Sequence, residues 1–220
     1  MGIKNFITSL HLSTKRNYIQ RMKNQKIHCM KVSKKYGKDY WDGDRKYGYG
    51  GYKYIPGRWT PLAKKLIKTY NLKSDSKILD VGCGKGFLLK ELKKLLPKMQ
   101  IHGFDISRYA LKNFDKSISK NIFRHDAAKK FPFKNKYFNL VISINTLHNL
   151  EIYDLKKSIR EISRVGKKSY ISVESYRNDK ELFNLQCWAL TCHSFFSRKE
   201  WQWIFKNNNY FGDYEFIYFN

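Results

Sequence analysis

Gly82, Gly84 and Gly86 fall at every second position directly after the apolar run Ile78, Leu79 and Val81, and a helix-spaced stretch from Phe87 to Leu92 follows at once. Residues without a Cβ let a chain turn tightly against a ligand, so a strand entering such a loop and then a helix builds a pocket for a nucleotide-like molecule. The spacing departs from the dinucleotide fingerprint Gly-x-Gly-x-x-Gly, because the third glycine comes one residue early. It departs from the phosphate-binding loop too, since Lys85 lies between glycines and no Lys-Ser or Lys-Thr pair follows. Asp80 stands two residues before the first glycine. A second acid, Asp105, ends the strand-like run from Ile101, 21 residues after Gly84, where a carboxylate can accept both hydroxyls of a ribose. Its structural alternative is a cap for the helix starting near Ser107.

Further candidates sit past later strand-like runs. Asp126 and Ala127 follow Ile122–His125, Asn145 and His148 follow Phe138–Ile144, and Glu174 with Tyr176 closes Ser169–Glu174. Ligands of doubly wound sheets lie beyond the carboxyl ends of the strands. His148 can remove a proton near neutral pH; its other readings are a cap for the next helix or packing against a cofactor. Glu174 can bind a cation, act as a base, or serve as a structural carboxylate. Cys187, Cys192 and His193 meet only the pair His28 and Cys29, which lacks ligand spacing, so no metal is expected.

The string Ile78 to Gly86 resembles the first motif of class I S-adenosylmethionine-dependent methyltransferases: two apolar residues, Asp, Val, then Gly-x-Gly-x-Gly. Asp105 and the pair Asp126, Ala127 match the second and third motifs, and the likeness spans roughly residues 58–175. The resemblance implies S-adenosyl-L-methionine as cofactor, with S-adenosyl-L-homocysteine as product. It implies that Asp80 orients the loop and the methionine amino group, that Gly82 and Gly84 admit the methionine moiety, and that Cys83 contributes its backbone. It further implies that Asp105 holds the ribose, Ile106 packs on adenine, Asp126 and Ala127 read the adenine edge, and Asn145 lies with these cofactor contacts. Tyr40–Trp59, Ser143–Leu150 and Val173–Arg177 carry a narrower likeness to small bacterial methyltransferases associated with surface-polysaccharide biosynthesis. The expected reaction is methyl transfer to oxygen or nitrogen of a small, anionic or sugar-linked acceptor, with His148 and Glu174 as catalytic candidates. The alternatives are an RNA acceptor and a catalytically silent module that binds the cofactor.

These residues need a scaffold, and from residue 77 onward strand and helix patterns alternate. That predicts an α/β, Rossmann-like fold, a mostly parallel central sheet with helices on both faces. The resembled family ends in an antiparallel pair of strands, whereas only Tyr214–Phe219 reads as a strand here. We expect a methyltransferase domain over residues 58–220, preceded by an extension over residues 1–57. Ser13 and Thr14 are set to cap a basic helix reaching Val32. After it, Tyr40–Trp59 is dense in aromatic residues and glycine and reads as an ordered loop. Tyr49, Tyr52 and Trp59, with Tyr176, are its candidate substrate contacts; anchoring the N-terminal helix is the plainer reading of the loop rings. Trp188, Phe195, Phe196, Trp201 and Trp203 are expected to form C-terminal packing.

The chain has 220 residues and a formal net charge of +26, divided as +11 over residues 1–60, +13 over residues 61–150 and +2 thereafter. Such a field draws RNA, phosphorylated substrates or anionic lipid surfaces, although an AT-rich coding sequence gives the same Lys-rich composition irrespective of function. No apolar stretch approaches the ~18 residues of a membrane span. Four cysteines without a secretory leader fit reduced thiols in a cytoplasmic protein.

Overall fold

The computed structural model describes residues 2–220. Four short helices come first: α1 (Thr8–Leu12), α2 (Tyr18–Lys23), α3 (Lys26–Ser33) and α4 (Lys38–Asp42). Then follow α5 (Thr60–Tyr70), β1 (Lys77–Val81), α6 (Phe87–Leu95), β2 (Gln100–Asp105), α7 (Arg108–Lys112), β3 (Ile122–Arg124) and β4 (Phe138–Ile144). The chain closes with α8 (Ile152–Val165), β5 (Gly166–Glu174), α9 (Asp179–Trp188), α10 (Arg198–Asn207) and β6 (Asp213–Ile217).

The six strands form one sheet in the order β3-β2-β1-β4-β5-β6, and every neighbouring pair is parallel. Successive side chains of a strand point to opposite faces. Ile78, Leu140, Ile142 and Tyr170 therefore join α5 and α6 in one core, while Leu79, Val141 and Ile171 join α8 and α10 in the other. Burial on both faces explains why these strands read as nearly continuous apolar runs. The chain winds outward from β1 to β3, then crosses back to lay β4 against β1. That reversal opens a crevice at the carboxyl ends of β1 and β4, where ligands of such sheets bind.

The C-terminal expectation resolves into a single strand, β6, parallel to β5. Its outer edge is covered from the other end of the chain: Ile3 pairs with Tyr214, Lys4 N donates to Tyr214 O (2.9 Å), and Tyr214 N donates to Gly2 O (3.1 Å). Glu215, buried on β6, accepts from the amides of Phe6, Ile7 and Thr8, from Thr8 Oγ1 and from Tyr170 Oη. One carboxylate thus satisfies the free amides at the start of α1.

The single basic helix expected up to Val32 is instead two. Asn17, not Ser13 or Thr14, caps α2 by accepting from Gln20 N, and Gln25 breaks the run with a left-handed φ of 46° before α3. No helix in the described residues is long and apolar enough to cross a membrane. The four cysteines are free and buried.

Candidate active site

The glycine loop caps β1, and its three glycines have positive φ for different reasons. At Gly84 (φ 54°) a Cβ would come within 2.8 Å of the Trp41 ring, and at Gly86 (φ 72°) it would lie 1.8 Å from the Phe114 ring. Gly86 is thus required by packing of Phe114 and Gly82 by Thr146, whose Oγ1 would lie 2.3 Å from a Cβ there, while Gly82 and Gly84 also line the crevice. Gly84 N donates to Asp105 Oδ2 (2.8 Å) and Ser107 N to Asp105 Oδ1 (2.7 Å). Asp105 therefore ties the loop to the end of β2, while each carboxylate oxygen keeps a second acceptor direction. Ser107 caps α7 itself, by accepting from Ala110 N.

Asp80 lies below the loop, 5% exposed, and its Oδ1 has no hydrogen-bond partner. Burial, and secondarily the charge of Asp105, push its carboxyl up to about 8. An oxygen so placed is an empty acceptor for a cationic or N–H group of a ligand.

The aromatic segment folds over this edge. Tyr49 stacks on Trp41 at 5.2 Å, Tyr52 stacks on Phe87 at 4.9 Å, and Trp41 Nε1 donates to Ser107 Oγ (2.9 Å). Lys85 fixes the segment from below, its Nζ reaching Asp42 Oδ2 (2.6 Å) and Tyr52 O (2.8 Å), while Tyr109 Oη donates to Asp42 Oδ2 (2.8 Å). The rings thus both anchor the N-terminal region and roof the crevice.

Across the crevice, His148 is buried and its Nδ1 accepts from Glu174 N (3.2 Å), while its Nε2 lies 3.5 Å from Glu174 Oε2. Burial lowers the pKa of His148 against the opposing pull of Glu174. A neutral ring that accepts at Nδ1 carries its proton on Nε2, facing the carboxylate. Asn145 adopts φ 51° as the chain leaves β4, and its Oδ1 accepts from Ser172 Oγ (2.8 Å).

These groups line one cavity of about 500 Å³. Tyr49, Tyr52, Trp59, Asp80, Gly82, Cys83, Gly84, Asn145, His148 and Glu174 are all on its wall. Asp105, Ile106, Asp126, Ala127 and Tyr176 are not. Asp105 is buried at the loop, Ile106 beside it is 43% exposed, and Asp126, half-buried after β3, accepts from Ala128 N (2.9 Å). Tyr176 pairs instead with Ser197 ahead of α10.

The wall also holds groups not singled out from the sequence: Arg16, Arg21, Arg45, Lys53 and Arg58. Trp188, expected in C-terminal packing, lines the cavity with the guanidinium carbons of Arg21, Arg45 and Arg16 at 4.4, 5.0 and 5.4 Å from its ring centre. Trp203 likewise departs from that expectation, being 66% exposed, while Trp201 is fully buried. Among the described residues no group of three or more His, Cys, Asp or Glu is placed to hold a metal.

Residues 72–209, more than half of the chain, match the family model described as "Methyltransferase domain". The chain belongs to this methyltransferase family. The Bacillus subtilis (strain 168) protein YrhH is 27% identical to the methyltransferase over 128 residues, covering 55% of this chain and 70% of that one. The ribosomal RNA small subunit methyltransferase C of Buchnera aphidicola subsp. Schizaphis graminum is 33% identical over 101 residues, 44% of this chain but only 30% of that protein. A solved SAM-dependent methyltransferase from Aquifex aeolicus shares the fold, with a TM-score of 0.51 at 22% identity over 70% of this chain and 83% of that one.

The cofactor of the methyltransferase is S-adenosylmethionine. The residues present fit it at the cavity wall: the partnerless Asp80 oxygen suits an ammonium group, and the backbone of Gly82 and Gly84 lines the same wall. All four cavity arginines, Arg16, Arg21, Arg45 and Arg58, lie outside the matched residues 72–209.

Proposed function

We propose that this methyltransferase methylates an oxygen or nitrogen of a small anionic or sugar-linked molecule held in the cavity, with Glu174 as the proton acceptor. The observation that carries this reading is the pairing of His148 and Glu174 on the same wall as the glycine loop. When bound, S-adenosylmethionine supplies a methyl group already activated on a sulfonium, so the protein has mainly to align the partners and remove one proton. Nδ1 of neutral His148 accepts from Glu174 N and the proton sits on Nε2, 3.5 Å from Glu174 Oε2, which leaves no ring lone pair for an incoming proton. Glu174 keeps carboxylate lone pairs free, and His148 holds the Glu174 backbone with its Nε2–H beside the carboxylate. His148 is accordingly a positioning residue.

Asp80 would hold the methionine ammonium, and Asp105 the ribose hydroxyls through its remaining acceptor directions. Ile106 would offer its exposed side to adenine beside Asp126 and Ala127, and Asn145 would meet the methionine end. Tyr49 and Tyr52 offer faces that attract a sulfonium, and Trp59 extends the wall. Enclosure by the aromatic segment supports a small acceptor over a polymer. The narrower likeness to polysaccharide-associated methyltransferases supports a sugar-linked one.

The test supplies methyl-labelled cofactor with the small-molecule and RNA fractions of a cell extract. Label is expected in the small-molecule fraction, and Glu174→Gln should lower kcat about 100-fold or more while leaving S-adenosylhomocysteine affinity unchanged. Label confined to RNA would overturn the acceptor assignment. Full turnover by Glu174→Gln would remove the base assignment.

A further inference from the structure

The cavity holds more positive charge than methyl transfer requires, and it is gathered around one ring. Arg21 is 7% exposed, its Nε has no partner, and its terminal nitrogens reach only neutral carbonyls, Arg45 O (2.5 Å) and Gly48 O (3.5 Å). Arg16 repeats the pattern: its Nε is buried without a partner, and its Nη1 donates to His11 O (3.1 Å) and Thr14 O (2.9 Å). Arg45, an exposed residue, donates to Gly48 O and closes the group over Trp188 from the outer side. Among the described residues no carboxylate forms an ion pair with any of the three.

Arg21 is buried and Arg16 half-buried, and a desolvated guanidinium without a counter-ion is costly, since buried charges are ordinarily paired. The strain appears in their titration: burial first, then Arg45, lowers Arg21 to about 10, and burial chiefly lowers Arg16 and Arg45. His11 is held neutral, its pKa lowered to about 4 by burial and by Arg16, so its Nδ1 can accept from Arg16 Nη2 (3.1 Å) while Nε2 donates to Tyr218 O (3.0 Å). That contact fixes Arg16 in place. The two acids on the wall do not supply the counter-charge: Asp80 is largely protonated at neutral pH, and Glu174 reaches Arg16 only at long range.

We infer that Arg16, Arg21 and Arg45, gathered on Trp188, form a binding site for a phosphate group of the acceptor, so that the substrate is a phosphate or diphosphate ester of a small molecule. This rests on the proposed function, which places the acceptor in the same cavity. A phosphate is favoured over a carboxylate by charge and by geometry. Three guanidiniums present three positive charges and planar pairs of donors, which a doubly charged group with three terminal oxygens satisfies better than a single carboxylate. A phosphate anchored there leaves the rest of the acceptor to reach Glu174 along the shared wall.

The experiment is calorimetric titration of the full chain, saturated with S-adenosylhomocysteine, by pyrophosphate, inorganic phosphate, and glucose 6-phosphate against glucose. Wild type and the exposed-surface control Arg160→Met should bind the three phosphates alike and ignore glucose. Arg45→Met, and Arg21→Lys, which keeps the charge but not the fork, should each raise the phosphate Kd about tenfold or more without changing the homocysteine product's affinity. Equal phosphate binding by wild type and Arg45→Met would overturn the site. So would loss of S-adenosylhomocysteine affinity in Arg45→Met with phosphate binding intact, because the cluster would then serve the cofactor's carboxylate. The product is titrated separately into the phosphate-free protein, so failure of the cofactor reading shows there and failure of the anion site shows in the phosphate titrations.

Discussion

Replacing Asp80 with Asn removes a charge that the fold resists and the cofactor is proposed to use. The carboxyl is pushed from its ordinary 3.8 up to about 8, by burial first and by Asp105 second. Across that window the folded protein binds the proton more tightly than the unfolded chain. The stability this gives is therefore complete below about pH 4 and is lost as pH rises towards 8. Each pH unit within the window costs about 1.4 kcal/mol, so wild type should lose about 3 kcal/mol from this site between pH 5 and pH 7. Asn cannot ionise and lacks the slope. Denaturant unfolding of both proteins at pH 5, 6 and 7 measures it, since the titration of groups not coupled to Asp80 cancels in the difference. The advantage of Asp80→Asn over wild type should grow by about 3 kcal/mol from pH 5 to 7. Parallel pH profiles would refute the argument that Asp80 is a desolvated acid. In binding, the same change should weaken S-adenosylhomocysteine about 10- to 100-fold, because an ammonium loses a charged partner. Wild type at pH 7 should release about one proton on binding, seen as a dependence of the calorimetric heat on buffer ionisation.

Two further changes test the scaffold. Gly86→Ala puts a Cβ 1.8 Å from the Phe114 ring at a φ of 72°, so it should cost about 2–5 kcal/mol in denaturant unfolding, and Phe114→Leu in the same chain should restore part of the loss. Glu215→Gln turns an amide NH₂ towards a set of donors that all need an acceptor. It should cost about 2–3 kcal/mol and raise hydrogen exchange over residues 2–12, while exchange in β1 and β4 stays slow.

Local spacing made part of this site readable. A strand, an acid and alternating glycines lie within nine residues, and each constrains its neighbours directly, so the loop after β1 and the sheet around it could be inferred from Ile78 to Gly86. The sequence did not reveal that the third glycine answers to Phe114, since that contact joins the loop to the turn after α7. The N-terminal region was misread for a similar reason. Residues 13–32 have helical composition, yet Gln25 turns left-handed where the chain must fold back on the body of the protein. His148 and Glu174 were each legible as site candidates, but their division of labour depends on which ring nitrogen accepts the Glu174 amide.

The sequence by itself determined the strand, the glycine loop and the places of Asp80, Asp105 and Asp126 at strand ends, the residues proposed for the donor side, because short-range geometry orders them as in any doubly wound sheet. Only the tertiary structure brought together the residues proposed for the acceptor side. Arg16, Arg21 and Arg45 are three among 44 basic residues and look like dispersed surface charge until the fold brings them against Trp188, more than 140 positions later in the chain. Charges acquire chemical meaning from the partners they lack, and that depends on burial and on distance in space rather than on order along the chain.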